Sequence, residues 1–152
     1  MKKKWAEKIV EFKGISERIA IAKFSINKKV KLAIFQVYAP TMAATKEERK
    51  DFYRTLEECY IRECEQYSII MGDFNSKIGA DHEIKGCTGL YARGQTNKNG
   101  FKLGKFCQQL NLKIVSTYFD NPTEERWTWK SPDGNTKNEI DYLITNLSLI
   151  HI

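Results

Sequence analysis

The sequence predicts an α/β protein. Twice, a stretch of helical period leads directly into a short apolar run that reads as a buried strand, once at 45–71 and again at 97–115. Ahead of both lies a pair of strand-like segments over 18–38, joined by a polar turn.

Taken in order, residues 1–16 are mixed and show no clear period. Arg18 to Phe24 reads as a strand with Ile19 and Ile21 on one face. Asn27-Lys28-Lys29 is a turn, and Val30 to Tyr38 is a second strand rich in β-branched and aromatic residues. Ala39-Pro40 ends it, because proline has no N–H for a ladder. Tyr38 stands at the strand exit, where its phenol reaches either a ligand or water.

Thr45-Lys46-Glu47-Glu48 fits a capping box. The helix it opens is expected to run to about Glu65, with Phe52, Leu56, Cys59, Tyr60 and Cys64 on its inner face. Tyr67-Ser68-Ile69-Ile70-Met71-Gly72-Asp73-Phe74-Asn75 follows as a buried strand. If the strand persists through Asn75, Asp73 and Asn75 share one side and Phe74 points into the core. An acid and an amide so placed suit orientation of a water and retention of a phosphate oxygen. They also suit an ordinary polar exit from a strand.

Residues 76–98 form a long loop carrying Gly79, Gly86, Gly89 and Gly94, with basic residues Lys77, Lys85, Arg93 and Lys98. Loops of this length in compact domains are commonly functional or disordered. Asn97 or Asn99 can cap the next helix, which runs to about Leu110 with Leu103, Phe106, Cys107 and Leu110 inward. Leu112 to Val115 is a further buried strand, and Thr117 to Arg126 a polar loop. Trp127-Thr128-Trp129 alternates like a strand, and Ser131-Pro132-Asp133-Gly134 is a turn with proline at its second position. Ile140 to Ile144 is the last strand. Asp141 lies within it, and a carboxylate in an apolar strand requires a partner. No repeat, low-complexity tract or linker divides the chain, so residues 1–152 read as one domain.

The 152 residues are 41% hydrophobic and 29% charged, an ordinary globular balance with no apolar run of membrane-spanning length. Met1-Lys2-Lys3-Lys4-Trp5 is basic, but no apolar segment follows it, so it is not read as a secretory signal, and an intracellular site, nuclear or cytoplasmic, is expected. The net charge of +6 favours a polyanionic partner such as nucleic acid. Cys59, Cys64, Cys87 and Cys107 form no C-x-x-C pair, and His82 and His151 do not space with them as zinc ligands would. Free, mostly buried thiols are expected. Neither histidine is placed as a catalytic base, which argues against Ser-His-Asp or Cys-His chemistry. Carboxylates, amides, a tyrosine and a hard cation such as Mg²⁺ remain.

Four segments then line up: Val37-Tyr38-Ala39-Pro40, Gly72-Asp73-Phe74-Asn75, Thr128-Trp129-Lys130-Ser131-Pro132-Asp133-Gly134 and Asn138-Glu139-Ile140-Asp141-Tyr142. Their order and spacing resemble the endonuclease/exonuclease/phosphatase superfamily, the fold of DNase I, and most of all the endonuclease domain of RTE/BovB-type non-LTR retrotransposons. The resemblance implies a four-layer α/β/β/α sandwich and Mg²⁺-dependent hydrolysis of a phosphodiester in DNA. It gives Tyr38 a hydrogen bond to the scissile phosphate, Asp73 the attacking water, and Asn75 the phosphate. Trp129 would lie near the DNA or pack under the site, and Asp141 would orient a histidine. In the full element a reverse transcriptase follows.

The family also supplies an asparagine and a metal-binding glutamate from earlier strands, and an Asp-His pair from a later one. Glu7, Glu11 and Glu17 do not sit in that motif, and His151 is too close to Asp141 to come from a separate strand. The metal ligands are therefore unassigned. The chain reads as an incomplete domain, truncated at both ends, with cleavage impaired. A non-catalytic nucleic-acid- or chromatin-binding remnant and a phosphatase of the same fold are the alternatives.

Overall fold

The computed structural model describes residues 3–146. A short helix α1 (Lys3–Ala6) leads into three strands, β1 (Ile9–Ser16), β2 (Ile19–Ser25) and β3 (Lys31–Tyr38). Helix α2 (Lys46–Glu63) crosses to β4 (Tyr67–Asp73), and α3 (Lys98–Gln109) precedes β5 (Leu112–Ile114). A short helix α4 (Thr123–Arg126), a hairpin of β6 (Trp129–Lys130) and β7 (Lys137–Asn138), and β8 (Asp141–Asn146) complete the described chain. One six-stranded sheet has the order β1-β2-β3-β4-β8-β5, and β6-β7 form a separate two-stranded sheet. Among the described strands only β3 and β4 pair in parallel, as the α2 crossover between them requires.

The capping box forms as the sequence predicts. Thr45 accepts from the Glu48 N–H at 3.1 Å, and the Glu48 carboxylate accepts from the Thr45 N–H at 2.7 Å. The helix stops at Glu63, two residues short of expectation, and Cys64 is exposed rather than inward. The other three thiols are free and buried. Asn97, not Asn99, caps α3 by accepting from the Gly100 N–H at 2.8 Å. The strand expected at Trp127–Trp129 is displaced to Trp129–Lys130, and Val115 opens a 3₁₀ turn instead of ending β5. The loop over 76–98 holds a 3₁₀ turn at His82–Ile84 and is tied by Asp81, which accepts from the Thr96 N–H at 2.8 Å.

Strand β1 falls where no pattern was legible, and the structure gives the reason. Its partly buried positions include Glu11 and Lys13, while Val10 and Phe12 are 65% and 73% exposed. The alternation is present with the charges on the partly buried side. They join an ionic cluster around Glu63 at the end of α2, whose carboxylate lies 2.9 Å from Lys13, 2.8 Å from Lys23 and 3.0 Å from Arg62. These cations hold Glu63 down to a pKa of about 2.

The core lies between the sheet and the two long helices. Phe52, Leu56, Cys59 and Tyr60 of α2 and Leu103, Phe106 and Cys107 of α3 pack on Ile21, Phe35, Val37, Ile70, Ile114 and Ile144. The opposite face carries Val10, Phe12, Met71 and Leu143, all exposed, with Ile34 and Ile69 partly so. Of the expected four layers, the described residues thus form one helix layer and one six-stranded sheet, with the small β6–β7 sheet beside them. No described helix is long and apolar enough to cross a membrane.

Candidate functional site

Three strand ends put the sequence-selected residues side by side. Tyr38 of β3 pairs with Asp73 of β4, and Asp73 pairs with Asp141 of β8. Cross-strand partners share a face, so phenol and both carboxylates form one row on the helix-free side of the sheet. The backbone fixes this edge: the Ala39 N–H donates to the Asp73 carbonyl at 2.8 Å, and the Phe74 N–H donates to the Ile140 carbonyl at 2.9 Å. The Arg18 guanidinium lies over the Tyr38 ring, 5.6 Å from its centroid.

Asn75 reaches the site differently from the sequence expectation. The strand ends at Asp73, and Asn75 adopts a left-handed backbone with φ of 45°. Its N–H donates to the Asp73 carboxylate at 2.7 Å, an Asx turn that asparagine tolerates better than most residues. Its side-chain amide donates to the Ala39 carbonyl at 2.8 Å, binding the Asp73 turn to the β3 exit. Phe74 is fully buried, as its alternation predicts.

Asp141 also departs from expectation. It is the first residue of β8 and is exposed, so no burial cost obliges it to pair. His151, considered and set aside as its partner, lies outside the described residues. Trp129 stands on the β6–β7 hairpin, 40% exposed, outside the three-residue row.

Three supporting residues escaped the sequence reading. The Thr128 hydroxyl accepts from the Ile140 and Asp141 N–H groups at 3.2 and 3.1 Å, which fixes the start of β8. Asn99 is buried on α3 and donates to the Asn75 carbonyl at 3.0 Å and the Pro40 carbonyl at 3.3 Å. It braces both halves of the edge from behind. Gly72 has φ of 138°, and a Cβ there would meet the Val37 carbonyl oxygen at 2.0 Å. Gly72 and Thr128 lie in the segments that carry the family resemblance without a role of their own there, and Asn99 gave a signal only as one of two candidate caps.

Burial raises the Asp73 pKa above the ordinary carboxylate value, and the charge of Asp141 raises it further, while the Asn75 N–H opposes both. A neighbouring cation would relieve this repulsion. Among the described residues no group of three or more His, Cys, Asp or Glu could enclose a metal ion. Asp73 and Asp141 form an open carboxylate pair, which suits Mg²⁺ when water and a substrate phosphate complete the shell.

A cleft of about 540 Å³ is lined by Lys77, Arg93, Arg126, Trp127, Lys137 and Tyr142, among others, and by none of the row residues. The Lys137 ammonium lies 4.0 Å from the centroid of the Trp127 ring, and Arg126 is paired with Glu139 at 3.0 Å. An aromatic face beside cations suits the base and phosphate of a nucleotide.

No protein-family model matches the chain. It is 37% identical over 130 residues to craniofacial development protein 2 of Bos taurus, a match that spans 85% of this chain and 22% of that protein. Its fold is similar to the endonuclease domain of TRAS1, a telomere-specific non-LTR retrotransposon, with a TM-score of 0.64 and 10% identity. That match covers 93% of this chain and 55% of the TRAS1 domain. It is also similar to a 3′ phosphatase, NExo, from Neisseria bound to a product DNA hairpin, with a TM-score of 0.58 and 14% identity over 88% of this chain and 54% of that one.

Proposed function

Starting from a chain that carries the DNase I-like fold of the endonuclease/exonuclease/phosphatase superfamily, we propose that the Tyr38–Asp73–Asp141 row and Asn75 form the phosphate site of a metal-dependent DNA endonuclease domain. The observation that supports this reading most is the row itself: two carboxylates and a phenol abut on three neighbouring strand ends.

Each residue has a chemical role in that reading. Tyr38 donates a hydrogen bond to a non-bridging phosphate oxygen. One Asp73 oxygen holds the Asn75 N–H, and the other accepts a proton from the attacking water. Asn75, fixed through Ala39, binds the phosphate without adding negative charge. Asp73 and Asp141 would hold Mg²⁺, which neutralises charge on the phosphate when bound. Lys77, which follows Asn75 by two residues, and Lys137 and Trp127, which line the same cleft, would carry the flanking DNA.

Cleavage by this polypeptide is proposed to be weak. The row opens onto the sheet face that carries Met71 and Leu143 exposed to water, so the site is walled on one side and a developing charge is poorly shielded. Supercoiled-plasmid nicking with Mg²⁺ tests the proposal. Slow nicking that chelation and Asp73→Ala both abolish is expected. DNA binding that Asp73→Ala leaves intact, with no Asp73-dependent nicking, would favour a non-catalytic binding module instead.

A further inference from the structure

A second basic surface lies on the helix layer rather than on the sheet face that carries the row. A groove of about 380 Å³ runs between α2 and α3, with Arg49, Lys50 and Arg54 on one wall and Lys102 and Lys105 on the other. Glu57 is the acid among its lining residues. Lys50 and Arg54 each have a carboxylate on their own helix, Glu47 at 3.4 Å and Asp51 at 2.9 Å. Among the described residues Lys102 and Lys105 have no carboxylate within ion-pair distance.

Two features mark this arrangement as more than a solvated charged face. Helix α3 contains three lysines and no acid, and two of them, Lys98 and Lys102, lie in its first turns. The helix dipole favours anions there and disfavours cations. Lys102 is partly desolvated and crowded by Arg49 and Lys46, which pushes its pKa down. The Arg49 guanidinium is anchored through Nη1 on the Met42 and Ala44 carbonyls, which fixes its charge at the groove wall. An anion in the groove would relieve both.

We propose that this groove binds the phosphate backbone of duplex DNA outside the catalytic edge. Its composition selects that partner. Single-strand binders present aromatic platforms for stacking. Here Tyr53 is packed edge-on to Phe52 at 5.1 Å and against Phe106 at 5.7 Å, so the groove offers cations without an open ring face. Such a surface contacts phosphates irrespective of sequence. The choice of DNA over other polyanions rests on the proposed function; the groove itself does not.

The test is binding of a fluorescent 20-base-pair duplex to the 152-residue protein across a salt series. Replacing Arg54, Lys102 and Lys105 together by Glu should weaken binding at least about tenfold and flatten the slope of log affinity on log salt by roughly three. The corresponding Gln variant, which perturbs the helices less, should lose part of both, with circular dichroism confirming the fold. Unchanged affinity and slope in both variants would overturn the proposal. So would loss of affinity for an RNA duplex or for anionic vesicles while DNA binding stays intact. Glu substitutions at Lys77 and Lys137 separately test the cleft that both line. If only these weaken binding, the groove proposal fails while the strand-edge site stands. If only the groove variants do, the groove proposal stands, and the strand-edge site is judged by Asp73-dependent nicking alone.

Discussion

Asp73 and Asp141 are direct cross-strand partners on β4 and β8, two carboxylates at neighbouring strand ends in the interior of the sheet. Their mutual repulsion, added to burial, raises the proton affinity of Asp73. Asp141→Asn should therefore lower the Asp73 pKa, read from its side-chain carboxyl carbon in an NMR titration. An unchanged value would mean that burial alone sets it. The sign for stability follows. A carboxyl whose folded pKa is raised weakens the fold as pH rises through the unfolded and then the folded value. Asp73→Asn, which retains an oxygen for the Asn75 N–H, should leave the melting temperature at pH 7 equal or slightly higher.

Glu63 gives the opposite pH dependence. Its pKa is lowered to about 2 by hydrogen bonds from Lys23, Lys13 and Arg62. Its contribution is present above the unfolded value near 4.5 and is lost as pH falls toward 2. Glu63→Gln should destabilise the protein by ~2 kcal/mol at neutral pH and remove much of the stability loss over that acid window. Denaturant midpoints at several pH values would show it; parallel curves for both proteins would refute it.

The edge also depends on residues with no chemistry of their own. Thr128→Val removes the acceptor for two N–H groups and should cost ~1 kcal/mol. Faster hydrogen exchange at the Ile140 and Asp141 amides is the specific sign, since a change confined to the hairpin would not produce it.

Gly72→Ala forces a Cβ onto the Val37 carbonyl in a backbone conformation that side chains rarely adopt. A loss above ~3 kcal/mol is expected, with β3 and β4 separating first. Retention of wild-type stability would mean that the strand pair can shift there.

Much of the core and the main elements were legible in the chain because local and tertiary preferences agree there. The capping box, the Ile70 and Ile144 strands and the Pro132 turn needed no knowledge of distant contacts. Strand β1 was hidden because its charges point to Glu63, 50 residues from Lys13, a partner that no local pattern contains. Asn75 lies next to Asp73 for a reason that alternation does not contain. Period-two alternation put it beside Asp73, whereas a left-handed turn and a bond to Ala39 place it. The argument that Asp141 must be paired assumed a buried strand, and the residue sits at an exposed strand start. Asn97 and Asn99 are equivalent cap candidates in the sequence, which does not reveal which of two nearby asparagines faces the helix end.

The central claim is that Tyr38, Asp73, Asn75 and Asp141 surround one DNA phosphate. An NMR titration of the protein with a short, cleavage-resistant duplex in Mg²⁺ tests this most directly. The amides of these four residues should shift together along one saturation curve, and Asp73→Ala should abolish the shared response. Shifts confined to other surfaces, with these four amides unmoved at saturation, would contradict it.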